Sequence, residues 1–134
     1  MILLVEDNED DVFIMERAMR KLPHPSAMQV AVNGRDALNY LQGVDQYADR
    51  AAHPLPSLIF LDLKLPFVHG FEVLKWIHQQ TSLAHVPVVI LSSSSEARDL
   101  EKARELGAKD FLVKPPTTAT LNQTLQKLLP TGGG

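Results

Sequence analysis

Five short apolar runs punctuate the chain: Ile2 to Val5, Met28 to Val32, Leu58 to Leu61, Val86 to Leu91 and Phe111 to Val113. Each has the length of a β-strand. Between them, apolar residues recur at helical spacing, as in Val12, Met15, Met19 and Leu22, then Phe71, Leu74 and Ile77, and later Leu121, Leu125 and Leu128. Strands alternating with helices imply βαβ crossovers and a parallel sheet covered on both faces, which explains why the first, third and fourth runs lack a polar alternate. The second run carries Gln29 and reads as an edge strand. Breakers fall between the elements: Pro23 and Pro25 end the first helix, Asn33-Gly34 opens the second, Gly107 sits where a helix C-terminus needs positive φ, and Pro130 stops the last. One irregular stretch, from about Gly43 to Pro56, is longer than the usual connection in such units. It reads equally well as a recognition element or as a tolerated surface insertion.

With 134 residues and 45% apolar content, the chain suits one domain over 1–130 followed by a flexible 131–134 tail. A formal charge of -3 argues against direct nucleic-acid binding. The absence of cysteine excludes disulfides and Cys-ligated metal sites, and suits a reducing interior such as the cytoplasm. Met1 to Val5 is too short for a signal peptide or a membrane span, so no membrane association is expected.

Ligands of open parallel sheets bind beyond the carboxyl ends of the strands, where the strand order reverses. Glu6 and Asp7 follow the first strand there, Asp62 ends the third, Ser92 the fourth and Lys114 the fifth. Each residue alone has an ordinary explanation as a cap, a turn or a solvated charge; five on one edge need another. Carboxylates crowded together repel one another by about 4 kcal/mol per pair at about 4 Å and an effective dielectric near 20. A cation is therefore required, and an all-oxygen donor set favours Mg2+. The chemistry this points to is phosphoryl transfer, with Asp62 as nucleophile, Lys114 as a second cation and the Ser92 hydroxyl as a hydrogen-bonding partner.

Four segments in order, Val5-Glu6-Asp7-Asn8, Asp62-Leu63-Lys64-Leu65-Pro66 with Gly70 beyond, Ile90-Leu91-Ser92-Ser93 and Phe111-Leu112-Val113-Lys114-Pro115, closely resemble response-regulator receiver domains. The resemblance spans essentially the whole chain. It implies a flavodoxin-like (βα)5 fold, a doubly wound five-stranded parallel sheet of order 2-1-3-4-5. It also implies that Asp62 is the phospho-acceptor, that Asp7 and Asp62 bind Mg2+ directly, that Lys64 does so through its backbone carbonyl, and that Glu6 acts through water. Ser92 and Lys114 match the hydroxyl and lysine that contact the phosphoryl group, Phe111 the aromatic switch, and Lys114-Pro115 the family's cis peptide. Glu6, Ser92 and Phe111 stand where Asp, Thr and Tyr are common. Phe111 has no hydroxyl, so its switch works by packing. Lys64 and Ser94 match positions that tune phosphate lifetime.

Tyr47-Ala48-Asp49-Arg50, Pro54-Leu55-Pro56 and the wording around Asp62 look more specifically like single-domain regulators that partner bacterial phytochrome kinases. That implies a sensor histidine kinase as phosphodonor, light as the signal, a downstream protein or phosphorelay partner, and a homodimer through the last strand and helices. Such a protein is no enzyme beyond its own phosphotransfer and dephosphorylation. Phosphorylation would draw Ser92 toward the phosphoryl group, let Phe111 turn inward, and change the surface of the fourth helix, fifth strand and fifth helix.

A flavin-binding electron carrier shares the sheet order, but the acidic run Glu6-Asp7-Asn8-Glu9-Asp10-Asp11 would repel its ligand's phosphate. The alternative function is a phosphate-independent interaction module, a receiver in shape only. His24, His53, His69, His78 and His85 share no ligand spacing and read as surface or packing residues, and Trp76 as packing or partly exposed. Asp10 and Asp11 read as complements to the first helix's dipole, with kinase docking as a second role.

Overall fold

The computed structural model describes residues 1–23, 26–66, 68–93 and 96–129. Pro25, Ser94, Pro130, His24 and the 131–134 tail lie outside the described residues. Five parallel strands, β1 (Ile2–Val5), β2 (Met28–Ala31), β3 (Leu58–Asp62), β4 (Val88–Ser92) and β5 (Asp110–Val113), stand in the order β2-β1-β3-β4-β5. Five helices alternate with them: α1 (Glu9–Arg20), α2 (Gly34–Gln42), α3 (Gly70–Gln79), α4 (Ala97–Glu105) and α5 (Thr118–Leu128). The flavodoxin-like order expected from the sequence is the one observed, with β2 at an edge.

The strand pleat divides the core in two. Ile2, Leu4, Leu58, Phe60, Val89, Leu91 and Leu112 pack in a layer with Met15, Met19, Leu121 and Leu125 of α1 and α5. Their neighbours Leu3, Val5, Ile59, Leu61, Val88 and Ile90 pack with Ala37 and Tyr40 of α2, Leu74 and Ile77 of α3 and Ala103 of α4. Successive strand residues project to opposite faces, so a strand apolar throughout serves both layers.

Local chemistry sets the ends of the elements. Asn8 and Asn33 accept from the backbone N–H of Asp11 and Asp36, capping α1 and α2. Gly43, at φ 69, and Gly107, at φ 103, take the left-handed turn after α2 and α4. Two strands fall short of their apolar runs. Val32 is more than half exposed, and its N–H donates to Asp36 Oδ2 at 3.2 Å, so β2 closes at Ala31. Val86 N–H turns back to Leu83 O at 3.0 Å, and Pro87 has no donor, so β4 begins at Val88.

The long 43–56 stretch is built onto α2. A short 3-10 turn, Asp45–Tyr47, buries Tyr47, whose hydroxyl donates to Asp36 Oδ1 at 2.7 Å. Tyr40 donates to Pro54 O at 2.8 Å, and Arg50 donates to Leu41 O at 2.8 Å and to His53 O at 2.9 Å. The rings of Tyr40 and Tyr47 meet edge to face at 4.8 Å between centroids, with His53 against both. The segment thus adds aromatic core to the α2 side.

Candidate functional site

Strand parity determines which polar groups meet at the carboxyl edge. Glu6 continues the side of Ile2 and Leu4, Asp62 that of Leu58 and Phe60, and Lys114 that of Leu112, all toward the α1/α5 layer. Their charged ends converge. Lys114 Nζ is ion-paired with Glu6 and lies 3.0 Å from Asp62 Oδ2. Glu6 and Asp62 are buried, whereas Asp7 is exposed. One carboxylate oxygen from each of Glu6, Asp7 and Asp62 lies within 4.8 Å of the others. Three carboxylates so close, two of them buried and facing one lysine, form an all-oxygen cluster that fits a hard divalent cation.

The backbone frames this cluster. Asp62 Oδ1 accepts from the Lys64 N–H at 3.2 Å, and Glu6 Oε2 accepts from the Asn8 N–H at 3.2 Å. The Lys64 side chain is exposed. The Lys114 N–H donates to Ser92 O at 2.8 Å, extending the β4–β5 pairing one residue past Val113. The Lys114-Pro115 peptide is cis, matching the expectation from the sequence. Gly70 packs under the site, and a Cβ there would come within 2.4 Å of the Asp62 carbonyl oxygen. Its place eight residues after Asp62 is therefore a packing requirement.

Electrostatics follow from burial. Burial pushes the Glu6 carboxyl up to about 7; Lys114 opposes that shift and Asp62 adds to it. For Lys114, burial lowers the ammonium pKa, but Glu6, Asp62 and Asp11 outweigh it and hold the group above the ordinary lysine range.

Ser92 and Phe111 take the opposite parity. Ser92 is buried at the end of β4, following Val88 and Ile90. Phe111 is half-buried against the α2/α3/α4 layer, where it lines a groove of about 380 Å³ with Leu100, Ala103, Arg104 and Lys109. The predicted site residues therefore form two groups. Glu6, Asp62 and Lys114 meet directly with Asp7 beside them, while Ser92 and Phe111 lie across the plane of the strands.

Asp11 is the residue that the sequence reading underrated. It lies in the first turn of α1, as expected of a dipole partner, and its Oδ2 also lies 3.0 Å from Lys114 Nζ. The signal was present, because Asp11 precedes Met15 by one turn on the buried stripe of α1. Among the described residues no histidine joins a group able to hold a metal. His69 instead caps α3, its Nδ1 accepting from the Phe71 N–H at 3.1 Å, and Trp76 is half-buried against the core.

Comparison with known proteins assigns the family. The response regulator receiver domain model matches residues 2–126. The chain belongs to the response-regulator receiver family. The receiver is 33% identical to the probable methanogenesis regulatory protein FilR2 of Methanothrix harundinacea, over 96% of this chain and 80% of that protein. It is 32% identical to response regulator Rcp1 of Synechocystis, over 94% of this chain and 84% of that one. Among solved structures, the bacteriophytochrome response regulator AtBRR is 40% identical with a TM-score of 0.82, covering 95% of this receiver and 90% of that chain. A Mn2+-bound form of response regulator Rcp1 is 30% identical with a TM-score of 0.79, covering 98% and 92%. Receiver domains are signalling modules of two-component systems, and a phosphodonor is their partner. Among the described residues no helix is long and apolar enough to cross a membrane.

Proposed function

We propose that this receiver accepts a phosphoryl group on Asp62 from a sensor histidine kinase, with Mg2+ bound, in the cytoplasm. The observation that carries this reading is the convergence of Glu6, Asp62 and Lys114 from three separate strands, with Asp7 beside them. In this assignment Asp7 and Asp62 would hold Mg2+ directly, Lys64 would do so through its backbone carbonyl and Glu6 would act through water. The metal supplies positive charge that offsets the charge of a phosphoryl group. An Asp62 oxygen forms the new O–P bond while the donor's N–P bond breaks, and the leaving imidazole nitrogen keeps the electron pair. Lys114 donates to the phosphoryl oxygens, and the Ser92 hydroxyl is drawn toward them. Phe111 then turns inward beside the groove that it lines with α4 residues, altering the α4–β5–α5 surface read by a downstream protein or relay partner.

Relatives sharpen the choice of donor. AtBRR is described as a bacteriophytochrome response regulator, which supports a light-sensing kinase as phosphodonor here. Val113, nearly half exposed on the edge strand β5, supports a homodimer through the last strand and helices. The full set of Glu6, Asp7, Asp62, Ser92 and Lys114 argues against an interaction module that works without phosphate. The test is to incubate the protein with phosphoramidate. Intact-mass analysis is expected to show one added phosphoryl group with Mg2+ and none after chelation. Labelling that ignores the metal, or no labelling at all, would overturn the proposal.

The raised Glu6 carboxyl gives a pH test of the metal assignment. With its pKa at about 7, Glu6 is protonated in the metal-free protein below that pH, and a proton competes with the cation. Apparent Mg2+ affinity by calorimetry is expected to fall up to about tenfold between about pH 8 and pH 6. Glu6→Gln should remove that dependence. An affinity equally steep in wild type and variant would separate Glu6 from the metal.

A further inference from the structure

An ammonium group carries three N–H donors, and Lys114 Nζ is met by three carboxylates: Glu6, Asp62 and Asp11. The three are not equivalent. Glu6 and Asp62 belong to the cluster that fits a cation, whereas Asp11 lies outside it. A cation drawing charge from the first two would leave Asp11 as the lysine's one uncompensated partner.

The geometry around Asp11 is directed rather than incidental. Its position, three residues after the N-cap Asn8, is where an acidic side chain commonly reaches back to the N-cap N–H. That N–H is already taken by Glu6 Oε2 at 3.2 Å. The Asp11 backbone N–H still completes the cap to Asn8 Oδ1 at 3.1 Å, while its carboxylate turns to Lys114. The pair is half-sheltered, with 13% of the lysine side chain and 32% of the aspartate exposed.

We propose that Asp11 is a positioning residue that holds Lys114 on the α1 side in the resting receiver and competes with the phosphoryl group for it. This rests on Asp62 being the phospho-acceptor. Two effects act in the same direction. Asp11 draws the lysine away from an incoming phosphoryl oxygen, and its own charge repels an anionic donor. Asp11 therefore tunes how readily the receiver is charged.

The experiment compares Asp11→Asn with Asp10→Asn on the full chain, using phosphoramidate and Mg2+. Asp10 is exposed in the same helical turn, so its change removes the same charge without breaking the 3.0 Å pair to Lys114. Asp11→Asn is expected to label about two- to fivefold faster at low donor concentration, the range for loss of a partly exposed ion pair. It should also bind the phosphoryl mimic trifluoroberyllate more tightly by a similar factor. Half-saturation by Mg2+ should move alike in both variants. Asp11→Ser, with its capping-compatible side chain, is the second variant if the amide lowers folded yield. Equal rates in Asp11→Asn and Asp10→Asn, or slower labelling in Asp11→Asn than in wild type, would overturn the role of Asp11. A wild-type protein that takes no label would instead defeat the underlying assignment of Asp62.

Discussion

Asp62→Asn is expected to abolish Mg2+-dependent labelling by phosphoramidate, a loss on the order of a hundredfold or more, without unfolding the protein. An amide has nearly the shape of the carboxylate but cannot act as the nucleophile. Lys114 keeps two of its three anionic partners, Glu6 and Asp11, so the cluster does not lose its cation. Removing one of several mutually repelling carboxylates offsets the lost pair with Lys114. The thermal midpoint of the metal-free variant should therefore be no lower than that of wild type. Mass spectrometry of donor-treated protein, alongside a thermal melt, checks both halves. A variant still labelled at the wild-type rate would move the acceptor elsewhere.

Phe60→Ala should have the largest effect on stability. Phe60 is fully buried on β3, the middle strand of five, in the layer shared with Met15 of α1 and Leu121 of α5. Truncating such a ring costs about 3–5 kcal/mol, the transfer term plus the cavity left behind. Domains of this size are commonly stable by only about 5–15 kcal/mol, so the variant should be marginal at room temperature. Urea unfolding measures the loss directly. A change under about 1 kcal/mol would mean that the layer collapses around the gap.

Much of the fold is legible because the chain's local preferences agree with one another. The apolar runs without polar alternates require a sheet covered on both sides, and the acid, hydroxyl and lysine positions all fall where strands end. What escaped the sequence has a common cause. Asp11 has a sufficient local reason to stand in the first turn of a helix, and that reason hides its partner, Lys114, 103 positions away. The 43–56 stretch reads as irregular because its order comes from Arg50 and Tyr40 donating to backbone carbonyls and from Tyr47 reaching Asp36. Such bonds leave no period in a sequence. The strand boundaries near Val32 and Val86 are blurred for a similar reason, since hydrophobicity extends beyond the residues that pair in the sheet.

The two-sided pleat also sets which lengths can change over evolutionary time. Inserting or deleting one residue within β3 would turn Asp62 toward α3 and leave Lys114 without that counter-charge. At the exposed positions of the segment after α2, such as Ala51 and Ala52, an added residue would cost only local refitting. Descendants of this chain should therefore vary in length between α2 and β3, while the spacing from Leu58 to Asp62 stays fixed.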